Sequence, residues 1–140
     1  MGNFTEAALR DYLAAQLNII EFGLTLLEKE HYLRNVSGAN GYIDILAKDL
    51  LNNYVVIEIK RSQQSSRQAI QELLKYIALL KQNYHARDSE IRCIIISTHW
   101  DELLVPFSEL HYQTTLDIKG LKLKVDESFN ALSCCKLPQK

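Results

Sequence analysis

Two segments constrain this chain more than any others: Tyr42-Ile43-Asp44-Ile45-Leu46-Ala47-Lys48 and Tyr54-Val55-Val56-Ile57-Glu58-Ile59-Lys60. Each is a strand-length run rich in β-branched and aromatic residues, and the asparagines of Asp49-Leu50-Leu51-Asn52-Asn53 between them suit a turn. They read as the arms of a hairpin. Both arms are apolar on both faces, as in central strands covered from two sides. Asp44, Glu58 and Lys60 interrupt that pattern. If the loop closes symmetrically on Leu51, Asp44 stands opposite Glu58 and Tyr42 opposite Lys60, with opposed Cβ atoms about 4.5–5.5 Å apart. Two carboxylates and a lysine then meet on one side of a sheet.

The flanking pattern predicts an α/β domain on a mixed sheet. Thr5 is a plausible N-cap for a helix of about four turns, with Leu9, Leu13, Leu17 and Ile20 at helical spacing up to Gly23. Residues 24–33 read as a strand. A second helix is expected over 66–82, with Ile70, Leu73, Leu74, Ile77 and Leu80 or Lys81 as its apolar stripe. Residues 91–98 form a buried-strand pattern. Residues 101–111 suit a short helix that Asp101 caps and Pro106 bends or shortens. Residues 114–126 alternate around Gly120, which predicts a terminal hairpin, with a frayed tail from Ser133. No repeat and no Pro/Gly-rich linker divides the 140 residues, so one domain spanning 1–140 is expected.

Composition narrows the class. With 47% apolar and 24% charged residues the chain has enough hydrophobic content to fold without a staple. Cys93, Cys134 and Cys135 make a poor disulfide framework, and with His99 they lack paired zinc-ligand spacing. No apolar run approaches the ~18 residues of a membrane span, and no charged-then-apolar leader opens the sequence. A reducing, cytoplasmic setting without membrane partners is therefore expected. Residues 37–41 contain Gly but lack the Lys-Ser/Thr of a phosphate-binding loop.

Net charge is −1, but its distribution is uneven: residues 1–59 carry 4 Lys+Arg against 8 Asp+Glu, and residues 60–92 carry 7 against 3. A basic segment behind an acidic one suits either a phosphate-facing surface beside a carboxylate cluster or a solvated helix of mixed charge. Arg61, Arg67 and Lys75 are natural phosphate contacts, and Tyr42 a candidate for stacking on a base or sugar.

Carboxylates among apolar strand residues are costly without compensation, and a hard divalent cation offsets that cost. Mg²⁺ takes one or two carboxylates plus water and phosphate oxygens, which suits Asp44 and Glu58. Lys60 is placed to hold an attacking water or the charge developing on phosphorus. Glu21 continues the Leu13, Leu17 stripe near a helix C-terminus, where the macrodipole disfavours an anion. Something beyond the helix therefore rewards its charge, and an outer metal ligand is one reading, a solvated helix end the other.

Gly41-Tyr42-Ile43-Asp44-Ile45-Leu46, then Val56-Ile57-Glu58-Ile59-Lys60-Arg61, then Ala69-Ile70 through Tyr76, together resemble the PD-(D/E)XK nuclease superfamily. The nuclease domain of NucS-type endonucleases is the most similar member. That resemblance covers residues 11–80, with 91–98 fitting the next core strand. It implies a restriction-endonuclease-like fold, a mixed central sheet flanked by helices, and Mg²⁺-dependent (or Mn²⁺-dependent) hydrolysis of phosphodiester bonds. It also implies Asp44, Glu58 and the Ile59 carbonyl as metal ligands, Lys60 as the catalytic lysine and Glu21 as the helix-borne acid. Ile43 stands where the superfamily's name has proline. The helix motif of the relatives is Gln followed four residues later by Tyr; here Glu72 holds that spacing from Tyr76, with Gln71 beside it, so Gln71 and Glu72 are both candidates for the site.

The resemblance implies DNA as partner. NucS-type enzymes carry a further N-terminal DNA-binding and dimerisation domain that nothing here matches. A one-site chain cutting both strands would need two copies, so a homodimer, a separate recognition domain or a partner protein is expected to complete it. The alternative function is a non-catalytic nucleic-acid or partner-binding module on the same fold.

Overall fold

The computed structural model describes residues 6–33, 41–60, 66–98, 100, 104–125 and 131–136. Among them, six strands form one sheet in sequence order: β1 (Thr25–Leu33), β2 (Gly41–Lys48), β3 (Tyr54–Lys60), β4 (Ile91–Ser97), β5 (Asp117–Val125) and β6 (Ala131–Lys136). β1, β2 and β3 are antiparallel, β3, β4 and β5 parallel, and β6 antiparallel to β5. Parallel neighbours need crossovers. Helices α2 (Ser66–Tyr84) and α3 (Leu104–Gln113) supply them, and α1 (Glu6–Ala15) opens the described chain.

Strand alternation divides the core in two. Val55, Ile57 and Ile59 of β3 pack with Ile94 and Ile96 of β4 and with Leu9 and Leu13 of α1. Val56, Cys93 and Ile95 point the other way, against Leu73, Tyr76, Ile77 and Leu80 of α2 and Phe107 of α3. Trp100 locks the second layer. Its Nε1 donates to the Leu121 carbonyl at 2.9 Å and its ring meets Phe107 edge-on at 5.3 Å.

The hairpin has the expected register over four paired rows, which end before the expected Asp44–Glu58 and Tyr42–Lys60 rows. Ile45 pairs with Ile57, Leu46 with Val56, Ala47 with Val55 and Lys48 with Tyr54. Asp49 organises its turn by accepting hydrogen bonds from the Leu51 and Asn53 N–H groups at 2.9 and 2.8 Å.

Four expectations need correction. The first helix is shorter than four turns: at Gln16 the backbone leaves the helical region (φ −139°, ψ 56°) and a 3₁₀ turn follows over Leu17–Ile19. Leu17 and Ile20 are buried all the same, so apolar spacing alone did not reveal the break. On α2, Leu74 is exposed, because the buried face runs through Leu73, Tyr76, Ile77 and Leu80. Gly120 is not a turn: β5 runs straight through it, paired there with Ile95 of β4, and β6 joins from the next residue, Leu121. The terminal hairpin is β5–β6, so residues 133–136 are strand rather than frayed tail. Pro106 falls in the first turn of α3, where a missing N–H costs no helical bond. Thr5, Asp101 and residues 37–40 lie outside the described residues.

Gly23 closes the α1 region at φ +89°, and a Cβ there would sit 2.6 Å from Leu50 Cγ. Gly23→Ala is expected to lower unfolding free energy by about 1–3 kcal/mol through left-handed backbone strain and displacement of Leu50. Urea denaturation of the two proteins measures the difference.

Candidate nuclease site

The polar residues of the hairpin gather where β3 ends, on the α2 face. Alternation puts Glu58 and Lys60 on the face of Val56, and Glu58 is 2% exposed. Asp44 lies one residue past the last paired row, Ile45–Ile57, with its carboxylate beside Glu58. Asp44 Oδ2 accepts the Ile59 N–H at 2.9 Å. That bond crosses from β2 to β3 and fixes the carboxylate beside Glu58.

Lys60 reaches between two acids. Its Nζ lies 3.5 Å from Glu58 Oε2 and 3.1 Å from Glu72 Oε1 on α2. Tyr76, one turn along, donates its hydroxyl to Glu72 Oε2 at 3.2 Å. The result is a continuous polar chain: Tyr76 to Glu72, Glu72 to Lys60, Lys60 to Glu58, and Glu58 to Asp44.

Electrostatics mark Glu58 as the strained member. Burial pushes its carboxyl well above the usual range, and the neighbouring Asp44 charge pushes it further, against the pull of Lys60. Asp44 therefore opposes the Glu58 charge rather than offsetting it. Glu58 Oε1 is buried without a hydrogen-bond partner among the described residues. Burial, then the charges of Glu58 and Glu72, raise the Tyr76 hydroxyl, keeping it a neutral donor.

An orphaned, buried carboxylate oxygen beside a second carboxylate fits a hard divalent cation. The fit is to a site shared with water and substrate oxygens rather than a protein cage. Among the described residues no group of three or more His, Cys, Asp or Glu side chains is arranged to hold a metal. Asp44 and Glu58 would supply the carboxylates and the Ile59 carbonyl a backbone oxygen.

Glu21 is elsewhere. Its carboxylate takes two hydrogen bonds from Arg92, at 2.7 and 2.8 Å, and one from Lys119 at 2.7 Å. Arg92 pairs in register with Val55, and Lys119 with Ile94, whose neighbours face α1. Glu21 therefore sits on the opposite face of the sheet from Glu58. Arg92 also binds Asp49 at 3.1 Å and Asp117 at 3.2 Å, so this network ties the segment after the 3₁₀ turn, the β2–β3 turn and β5 together. The Arg92 hydrogen bonds hold the Glu21 carboxyl down to about 2, against the cost of burial. What rewards the Glu21 charge is a pair of cations in the scaffold, and no sequence signal linked it to Arg92 and Lys119.

Gln71 is exposed, and Glu72 is the residue turned toward Lys60. The signal was present: Glu72 precedes the buried Tyr76 by one turn. Lys75 is half-buried on α2. Arg61 and the side chains of Tyr42 and Arg67 lie outside the described residues. Cys93 is buried and its thiol is pushed up to about 12 by burial, so it is no nucleophile.

With this geometry in place, comparison with known proteins is decisive at the family level. Residues 5–125 match the model of the endonuclease NucS C-terminal domain. The chain belongs to that family. It is 26% identical over 121 residues to endonuclease NucS of Methanocaldococcus jannaschii, covering 84% of this chain and 43% of that protein. A repair endonuclease from Pyrococcus abyssi superposes with a TM-score of 0.63 at 21% identity, over 87% of this chain and 49% of that one. EndoMS in complex with double-stranded DNA gives 0.61 at 21% identity, over 87% and 47%. The chain thus spans about half the length of these relatives, and its mixed α/β sheet flanked by helices is their fold. No described helix is long and apolar enough to cross a membrane.

Two outcomes test the division between scaffold and site. Glu21→Gln is expected to destabilise the protein by roughly 2 kcal/mol at pH 7, allowing for partial solvent screening. Because the folded pKa is depressed, that difference is full above the unfolded value of 4.5 and disappears as pH falls toward 2; chemical denaturation across that range measures it. Glu58→Gln without divalent metal is expected to raise the thermal midpoint at pH 7, because it removes a buried carboxyl whose ionisation folding opposes. A lower midpoint would count against that account of Glu58.

Proposed function

We propose that this NucS-family domain is a metal-dependent endonuclease that hydrolyses DNA phosphodiester bonds at Asp44, Glu58 and Lys60, a PD-(D/E)XK-type arrangement. The observation that carries this reading is the buried Glu58 carboxylate, with one oxygen unpartnered among the described residues, beside Asp44 and Lys60. A purely structural cluster has no need to leave a desolvated carboxylate oxygen orphaned, a state that costs several kcal/mol.

When bound, Mg²⁺ or Mn²⁺ supplies a Lewis acid and lowers the pKa of a bound water. The chain's own residues do the rest. The Ile59 N–H keeps Asp44 oriented, and the wall of β-strand side chains around Glu58 excludes bulk water. Lys60, steadied by Glu72, presents an ammonium N–H to a nucleophilic water or to the non-bridging oxygen on which charge develops. Glu72 in turn is held by Tyr76. DNA as substrate is supported by the family and by the DNA complex of EndoMS.

Lys60 held between two acids also favours a second reading, a non-catalytic DNA-binding module in which Lys60 serves only to neutralise Glu58 and Glu72. One experiment separates the two. Labelled single-stranded, duplex, mismatched and branched DNA is incubated with the protein in Mg²⁺, Mn²⁺ or EDTA, beside Asp44→Ala and Lys60→Ala. Cleavage is expected with metal, abolished by EDTA, and reduced at least about 10²-fold in either variant while circular dichroism stays native-like. Salt-sensitive DNA binding with no cleavage under any condition would favour the binding module.

A further inference from the structure

Registers of the three parallel strands extend the site sideways. Lys60 pairs with Ser97 of β4, and Ser97 pairs with Lys122 of β5. One row in, Glu58 pairs with Ile95 and Ile95 with Gly120. Both rows lie on the α2 face, because Val56, Cys93 and Ile118 of the next row are all in that core. Neighbouring strands are about 4.8 Å apart, so the Lys122 backbone stands about 10 Å from that of Lys60. Lys124 follows about 7 Å farther along β5 on the same face.

Lys122 and Lys124 are exposed, whereas Leu121 and Leu123 beside them are buried and fix the strand's orientation. The Trp100 bond to the Leu121 carbonyl anchors the strand one residue before Lys122. Most described cations are held by carboxylates: Lys60 by Glu58 and Glu72, Arg92 and Lys119 by Glu21, Lys81 by Asp88. Neither Lys122 nor Lys124 has an ion pair or hydrogen bond with any described residue. Between Lys122 and Lys60 in their row stands only the small side chain of Ser97. Two unneutralised cations on a rigid strand, in line with a phosphodiester site at the carboxyl ends of parallel strands, suit a polyanionic ligand.

We propose that Lys122 and Lys124 form a phosphate-binding rail that holds the DNA backbone to one side of the phosphodiester bond over Asp44 and Glu58. The proposal rests on DNA as the ligand of the site, but not on cleavage. Its contacts are to phosphate and carry no sequence preference.

Equilibrium binding of the full chain to fluorescent duplex and single-stranded DNA of one sequence is measured over a salt series in EDTA, where no cleavage intervenes. Lys122→Ala/Lys124→Ala is expected to bind several-fold more weakly, with a slope of log K against log salt shallower by nearly 2 on duplex, and to keep its thermal midpoint. Lys122→Arg/Lys124→Arg is expected to restore both affinity and slope. An unchanged affinity and slope in the double alanine variant overturns the rail, as does absence of salt-sensitive binding by the wild-type chain. If the wild type never cuts DNA yet the slope still drops, the catalytic reading fails and the rail stands; wild-type cleavage with an unchanged slope means the reverse.

Discussion

The burial of Glu58 is the constraint around which the rest is arranged. A carboxyl at 2% exposure in the second of two central strands opposes folding unless its charge is met. Two things meet it incompletely: Lys60 at 3.5 Å and a proton that burial encourages it to keep. The hairpin register, the Ile59–Asp44 bond and the packing of α2 all serve to hold that strained group in one position. Such arrangements cost stability and are found where a protein binds or reacts.

The two faces of the sheet divide the labour. On the α1 face, Glu21, Asp49, Asp117, Arg92 and Lys119 form a network whose charges largely satisfy one another, and it pins together segments distant in sequence. On the α2 face the polar chain from Tyr76 to Asp44 ends in an oxygen without a described partner. Both networks are acidic-basic clusters of similar size. Satisfaction of the last polar atom distinguishes scaffold from candidate site.

The chain belongs to the NucS C-terminal domain family and spans about half the length of its relatives. The carboxylate pair and Lys60 are local to one hairpin, so a single domain can carry them. The proposed DNA recognition requires surface: the chain's net charge is −1, and Lys75, Lys122 and Lys124 are among the few described cations that no carboxylate holds. On the proposed reading, sparse charge beside the site would position a backbone rather than gather nucleic acid indiscriminately.

The sequence by itself determined the hairpin, its register and the meeting of Asp44 with Glu58, because a two-residue side-chain period and a short turn leave one arrangement that buries both apolar faces. It also determined that Lys60 shares their face, and the α/β order of elements. Tertiary structure decided what periodicity cannot express. Gly120 continues a strand because β4 pairs with it and with the residues on either side, and the apolar spacing past Gln16 survives a change from α-helix to 3₁₀ turn. Glu72 rather than Gln71 reaches Lys60, since 100° of helix rotation separates them and only the packing of Leu73 and Tyr76 sets the phase. Glu21 went to Arg92 and Lys119, residues 71 and 98 positions away, because an ion pair depends on distance in space, and the crossovers that bring β4 and β5 beneath α1 are made only when the whole sheet assembles.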